Sequence, residues 1–94
     1  MVAKPKTDIA SIARSLIETA AKSLATGDGY PPTATVLRQY RLDARSVATA
    51  IIRDLAGGPR GEATVTTEHA GAVRLNDLAE MIEQVSLTAA GGYA

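Results

Sequence analysis

The strongest constraint on this chain is that it must build an interior almost without aromatic side chains. It has no Phe and no Trp, only three Tyr, and 18 of its 94 residues are Ala. Its core must therefore be aliphatic and alanine-filled. One domain is expected at this length. A domain this small buries a smaller share of its surface than a large one, so a second subunit is an expected source of extra burial. With no Cys in the chain, disulfide scaffolds, cysteine zinc sites and cysteine nucleophiles are excluded. No apolar run approaches the ~18 residues of a membrane span, and the N-terminus lacks the pattern of a secretory signal. A cytoplasmic location without membrane contact is the expectation. Formal net charge is zero, but residues 1–60 hold nine basic and five acidic side chains and residues 61–94 hold one and five. A basic first part and an acidic last part suggest two surfaces with different partners.

The periodicity predicts a mostly α chain with a small β-hairpin. Residues 1–6 read as a short basic arm. Thr7 or Asp8 can cap a first helix over residues 8–26, with Ile9, Ile12, Ala13, Leu16, Ile17, Ala20 and Leu24 at helical spacing. Gly27 and Gly29 end it. After Pro31-Pro32, Thr33 caps a short second helix carrying Val36, Leu37 and Tyr40. Arg41-Leu42-Asp43 is read as a tight connection, with Asp43 capping a third helix over 44–56. The inward stripe of that helix is expected to be Val47, Ala50, Ile51 and Leu55, and Gly57-Gly58-Pro59 stops it. Residues 62–75 read as a hairpin around the Glu68–Gly71 loop. Asn76 or Asp77 is expected to cap a last helix over about 77–89, with Leu75, Leu78, Ile82, Val85 and Ala89 on one side and Gly91-Gly92 ending the order. The expected organisation is a single domain: a helical core (7–61), a hairpin (62–75) and a C-terminal helix (76–90).

A helix, a tight turn and a second helix followed by a hairpin is the layout of a winged helix-turn-helix, in which the second helix of the motif enters the DNA major groove. On that reading Ala44, Arg45, Ser46, Ala48 and Thr49 lie on or near the outer face and are the candidate base-reading residues. Arg45 can pair bidentately with a guanine edge. Thr33, Thr35, Arg38, Arg41 and Arg53 are candidate backbone contacts, with Lys22 a further phosphate candidate. His69 and Gly71 form the candidate wing tip. Leu75, Leu78, Ile82 and Val85 form a candidate dimer seam, too short for an autonomous coiled coil.

Residues 31–55 resemble the winged helix-turn-helix reading head of GntR-type bacterial regulators. Pro31, Arg38, Tyr40, Val47, Ala50 and Leu55 match the pattern of that family, and Val36, Leu42, Asp43 and Ile51 match in kind. The chain departs from it at Thr33, which stands at a Glu position, at Arg41, which replaces the turn Gly, and at Ala44, which replaces a DNA-contacting Arg. The N-terminal DNA-binding part of KfrA-type plasmid proteins is a second resemblance. Both imply sequence-specific binding of duplex DNA at a palindromic or repeated operator, by a homodimeric repressor. Too few residues follow the hairpin for an effector-binding domain, so no small-molecule effector or cofactor is expected. The alternatives are a winged-helix adaptor that binds protein, and a partition or replication factor. Catalysis has no support: the one His has no recognisable nucleophile beside it, no metal-ligand cluster can be read, and no Gly-rich phosphate loop is present.

Overall fold

A computed structural model describes residues 9–68 and 70–94. Helix α1 (Ile9–Gly27) is followed by a long helix α2 (Ala34–Leu55), an antiparallel hairpin of β1 (Thr64–Thr67) and β2 (Gly71–Arg74), and a short helix α3 (Leu75–Glu83). The chain is thus mostly helical with one two-stranded sheet. The expected cap of α1 at Thr7 or Asp8 and the basic arm at 1–6 lie outside the described residues, as does His69.

The interior is built from alanines. On α1, Ala13, Ile17, Ala21 and Ala25 recur every four residues and are fully buried, which puts them on one face of the helix. α2 meets them with Leu37, Ala44 and Ala48, and the hairpin and α3 add Val73, Leu78 and Ile82. Among the described residues, only Ile17 and Ile82 are large side chains with no exposed surface, each contributing about 1.5–3 kcal/mol by burial.

The main departure from the sequence reading lies in α2. The expected turn at Arg41-Leu42-Asp43 does not form, and one helix runs from Ala34 to Leu55. No Gly or Pro interrupts this stretch, and Arg41 occupies the position where a Gly would let the backbone turn. Asp43 is an exposed mid-helix residue, not a cap, and a single Asp there costs only about 0.5–0.7 kcal/mol in helix propensity. Thr33 does cap the helix, its Oγ1 accepting from the Val36 N–H at 3.3 Å. Beyond Ala56, Gly57 and Gly58 take positive φ angles of 88° and 92° and turn the chain away.

The inward face of this helix also differs. Val47, Ala50, Ile51 and Leu55, expected inside, are exposed, whereas Ala44, Ala48 and Thr49 are buried. The small side chains face α1 and the larger aliphatics face out. The Thr49 hydroxyl is satisfied by donating to the Arg45 carbonyl at 2.8 Å, a bond within the same helix.

The hairpin forms where expected, with Thr64 opposite Arg74 and Thr67 opposite Gly71. Gly71, the first residue of β2, takes φ 69°, a left-handed conformation that Gly adopts without steric cost. α3 then starts directly from β2, two residues before the expected position, and it has no side-chain cap. Asn76 instead donates from Nδ2 to the carbonyls of Gly58 (2.9 Å) and Gly61 (2.8 Å), tying the loop after α2 to α3.

Helix α3 ends at Glu83 rather than near residue 89. Residues 84–94 form a folded tail closed by a bridge between Leu87 and Tyr93, so Gly91-Gly92 does not end the order. Thr88 N–H donates to the Gly92 carbonyl at 2.7 Å, and Thr88 Oγ1 accepts from Gly92 N–H at 3.0 Å. The expected dimer seam is divided, because two of its four residues are withdrawn from the surface. Leu78 and Ile82 are 3% and 0% exposed, and Leu75 and Val85 are half-buried. Leu78 and Ile82 belong to the protein's own interior, and Val85 packs against it.

Candidate nucleic-acid interface

The outward side of α2 carries one continuous row. Thr35, Arg38, Leu42, Ser46, Ala50 and Arg53 follow at intervals of three and four residues and therefore share a helix face; Gln39 lies beside them. All are exposed except Arg53, which is half-buried. From Arg38 to Arg53 the row spans about 22 Å at 1.5 Å per residue. It contains two guanidinium groups, two hydroxyls and a small Ala, and no carboxylate. Asp43 and Asp54 fall on the next row. Arg38 makes no side-chain hydrogen bond or ion pair among the described residues. Arg53 is held by Glu83, Nη2 to Oε1 at 3.3 Å, in an exposed pair.

The five expected base-reading residues are divided by this geometry. Ser46 is on the outward row. Arg45 lies one row inward, with Nη1 donating to the Val85 carbonyl at 2.7 Å; it shares an open hollow with Ser46, Arg53 and the Glu83 carboxylate. Ala44, Ala48 and Thr49 are 0%, 6% and 7% exposed and belong to the core.

Of the expected backbone contacts, Arg38, Thr35 and Arg53 are outward, and Thr33 is the exposed helix cap. Arg41 has a different place. Its Nε donates to Glu18 Oε1 at 2.6 Å, its Nη1 donates to the Gly91 carbonyl at 3.1 Å, and its guanidinium carbon lies 4.7 Å from the centre of the Tyr93 ring. The Tyr93 hydroxyl donates to the same Glu18 oxygen at 2.7 Å. This cluster fastens α1, α2 and the tail together. Gly91 is what lets the tail come so close: a Cβ there would lie 1.8 Å from the Arg38 carbonyl oxygen. Of the two wing residues, Gly71 is exposed at the start of β2.

Two phenols carry shifted acidities. Burial and the hydrogen bond to Glu18 push Tyr93 up to about 12. The hydrogen bond from the Tyr40 hydroxyl to Asp28 Oδ2, at 2.6 Å, pushes Tyr40 up to about 12 as well. In both cases a neighbouring carboxylate disfavours the phenolate. Neither phenol is on the outward row. Among the described residues no three of His, Cys, Asp and Glu are grouped to hold a metal ion, and no helix is long and apolar enough to cross a membrane.

Sequence reasoning missed Gln39 and Leu42 as members of the outward row, and Glu18, Gly91 and Tyr93 as partners of Arg41. A continuous α2 would have revealed the first pair by periodicity. The second group is joined across 50 and 75 residues of sequence and leaves no local signal. In comparisons with known proteins, the chain matches no family model, no curated protein and no solved structure.

Proposed function

We propose that this chain is a DNA-binding transcriptional regulator, a repressor acting in the cytoplasm, which lays the outward row of α2 into the major groove of duplex DNA. The observation that carries the reading is the carboxylate-free row from Thr35 to Arg53, with the unpartnered Arg38 near one end and Arg53 at the other. A major groove about 12 Å wide admits one helix. Arg38, Arg53 and Thr35 then serve phosphates, which set affinity and register. Gln39, Ser46 and Arg45 serve base edges: a Gln amide matches adenine, and Arg matches guanine. Ala50 allows close approach. The β1–β2 hairpin is the wing in this reading. The corresponding fold is a winged-helix-like one in which the two helices of the reading motif are fused into α2, and the resemblance of residues 31–55 to GntR-type heads supports the α2 part of that reading. Ala44, Ala48, Thr49 and Arg41 have no contact with DNA in this account.

The test is a set of substitutions read by fluorescence anisotropy against duplex DNA. Arg38→Ala and Arg53→Ala should each weaken binding on all sequences and reduce the slope of log K against log salt by about 1. Gln39→Ala should reduce the preference for the cognate site while leaving the salt slope unchanged. An unaltered slope for both Arg variants would reject α2 as the phosphate-contacting element.

A further inference from the structure

The end of α3 meets two arginines of α2. Glu83 is the last residue of α3, and its Oε1 accepts from Arg53 Nη2 at 3.3 Å. Two residues on, the Val85 carbonyl accepts from Arg45 Nη1 at 2.7 Å. The hollow between α2 and the end of α3 has a volume of about 400 Å³ and is lined by these two arginines, Glu83, Ser46, Thr49 and Ala50. Its charged groups are two guanidiniums and one carboxylate. The Thr49 hydroxyl is already engaged by the Arg45 carbonyl, which leaves Ser46 as the exposed hydroxyl.

Glu83 stands where helix formation alone disfavours it. The last turn of a helix carries the negative pole of the helix dipole, which favours a cation and opposes a carboxylate. α3 has no basic residue in its last turn, so the cation that faces Glu83 comes from α2. A residue that breaks a local rule for a modest structural gain marks a place where function is expected. The gain here is modest, because the Arg53 and Glu83 side chains are 30% and 61% exposed.

We infer that Glu83 stands in for a DNA phosphate and competes with it for Arg53, which limits the affinity of the interface. The inference rests on the reading of α2 as the DNA-contacting element. Carboxylate and phosphate oxygens accept the same hydrogen bonds from a guanidinium. DNA therefore engages Arg53 fully only when that side chain leaves Glu83. The exchange has two costs: the ion pair is lost, and the freed carboxylate faces the phosphate chain, which repels it. Both costs fall on every sequence, because phosphate contacts carry no base information. Loss of an exposed pair of this kind changes an equilibrium constant by about 1.4- to 5-fold. Arg45 is not released by the same exchange, since its partner is a backbone carbonyl.

A double-mutant cycle on the full chain tests the competition, read by fluorescence anisotropy with a random duplex of about 20 base pairs at about 50 mM salt. Glu83→Gln removes the charge and keeps the shape. It should tighten binding severalfold, and by a similar factor on a duplex of any other sequence. In the Arg53→Ala background only the repulsion remains to be relieved. The gain there should be smaller than in the wild-type background by about two- to fivefold. Gains of equal size in the two backgrounds would reduce Glu83 to a repelling charge and overturn the competition. A wild-type chain that binds the duplex, with Glu83→Gln binding no tighter, overturns the inference and leaves the α2 reading in place. Absence of binding by both chains overturns the α2 reading and the inference together.

Discussion

Replacing Arg41 by Ala should destabilise the fold by about 2–3 kcal/mol while leaving DNA binding by the folded protein unchanged. The Arg41 and Glu18 side chains are 17% and 28% exposed, so solvent only partly screens the pair. A hydrogen bond to a charged group in such a setting contributes about 1.5–3 kcal/mol, and the guanidinium over the Tyr93 ring adds about 0.5–1 kcal/mol. Alanine also leaves the Gly91 carbonyl without its donor and Glu18 with only the Tyr93 hydroxyl. A chain of this length has about 5–14 kcal/mol of total stability, so the loss is a large share of it. At about 4–8 °C per kcal/mol, the melting temperature should fall by about 10–20 °C. Urea unfolding followed by circular dichroism measures the loss directly. Tyr93→Phe keeps the ring under the guanidinium and removes only one hydroxyl donor, so its cost should be smaller, about 0.5–1.5 kcal/mol. An Arg41→Ala loss below about 0.5 kcal/mol, the size of an ordinary surface substitution, would refute the reading of Arg41 as a fastening residue. A reduced salt slope in DNA binding for that variant would return Arg41 to the phosphate contacts.

Three more predictions follow from particular placements. Gly91→Ala should cost about 2–3 kcal/mol, because its Cβ has no room against the Arg38 carbonyl and its φ of 84° disfavours a side chain; urea unfolding should show it, with tail amides losing hydrogen-exchange protection first. Asp43→Ala should leave stability unchanged or raise it by a few tenths of a kcal/mol, since Ala is the better helix former; a helix cap at that position would instead lose about 1 kcal/mol. Stability should also fall in alkali. The folded-state values of Tyr40 and Tyr93, about 12, lie above the ordinary 10, so the neutral phenols favour the folded state. Their contribution is fully present below pH 10 and disappears as the pH rises through about 12. Denaturation midpoints across that interval measure the loss, and tyrosinate absorbance of the folded protein should show Tyr40 and Tyr93 ionising late.

What could be read from the sequence followed local chemistry. Gly27 and Gly29 ended α1, Thr33 capped α2, Gly57 and Gly58 stopped it, and the Thr-rich and Val-containing runs paired as a hairpin around Gly71. Two readings failed together in α2. A turn was expected at Arg41-Leu42-Asp43 because the segment resembles a helix-turn-helix, yet it lacks the Gly that would bend the backbone. The inward face was assigned to the largest aliphatics, Val47, Ile51 and Leu55, as hydrophobic periodicity suggests. The chain instead joins its helices through Ala44 and Ala48 against Ala13, Ile17 and Ala21. An alanine stripe carries a weak hydrophobic signal even where it is fully buried. The four-residue spacing of Ala13, Ile17, Ala21 and Ala25 was the available clue. The same inversion moved Ala44, Ala48 and Thr49 out of the candidate interface and left an aliphatic ridge in solvent. The Arg41 cluster had no counterpart in local sequence, because the tail that completes it returns from the far end of the chain.

The central claim is that α2 binds duplex DNA through its outward row. The most direct measurement is an anisotropy titration of the full chain against the DNA immediately upstream of its own coding sequence, with random duplex as control, at two salt concentrations. The account predicts tighter binding to the upstream DNA and a steep fall in affinity on both duplexes as salt rises, because phosphate contacts release counterions. Binding that is absent at low salt on both duplexes, or indifferent to salt, would contradict it.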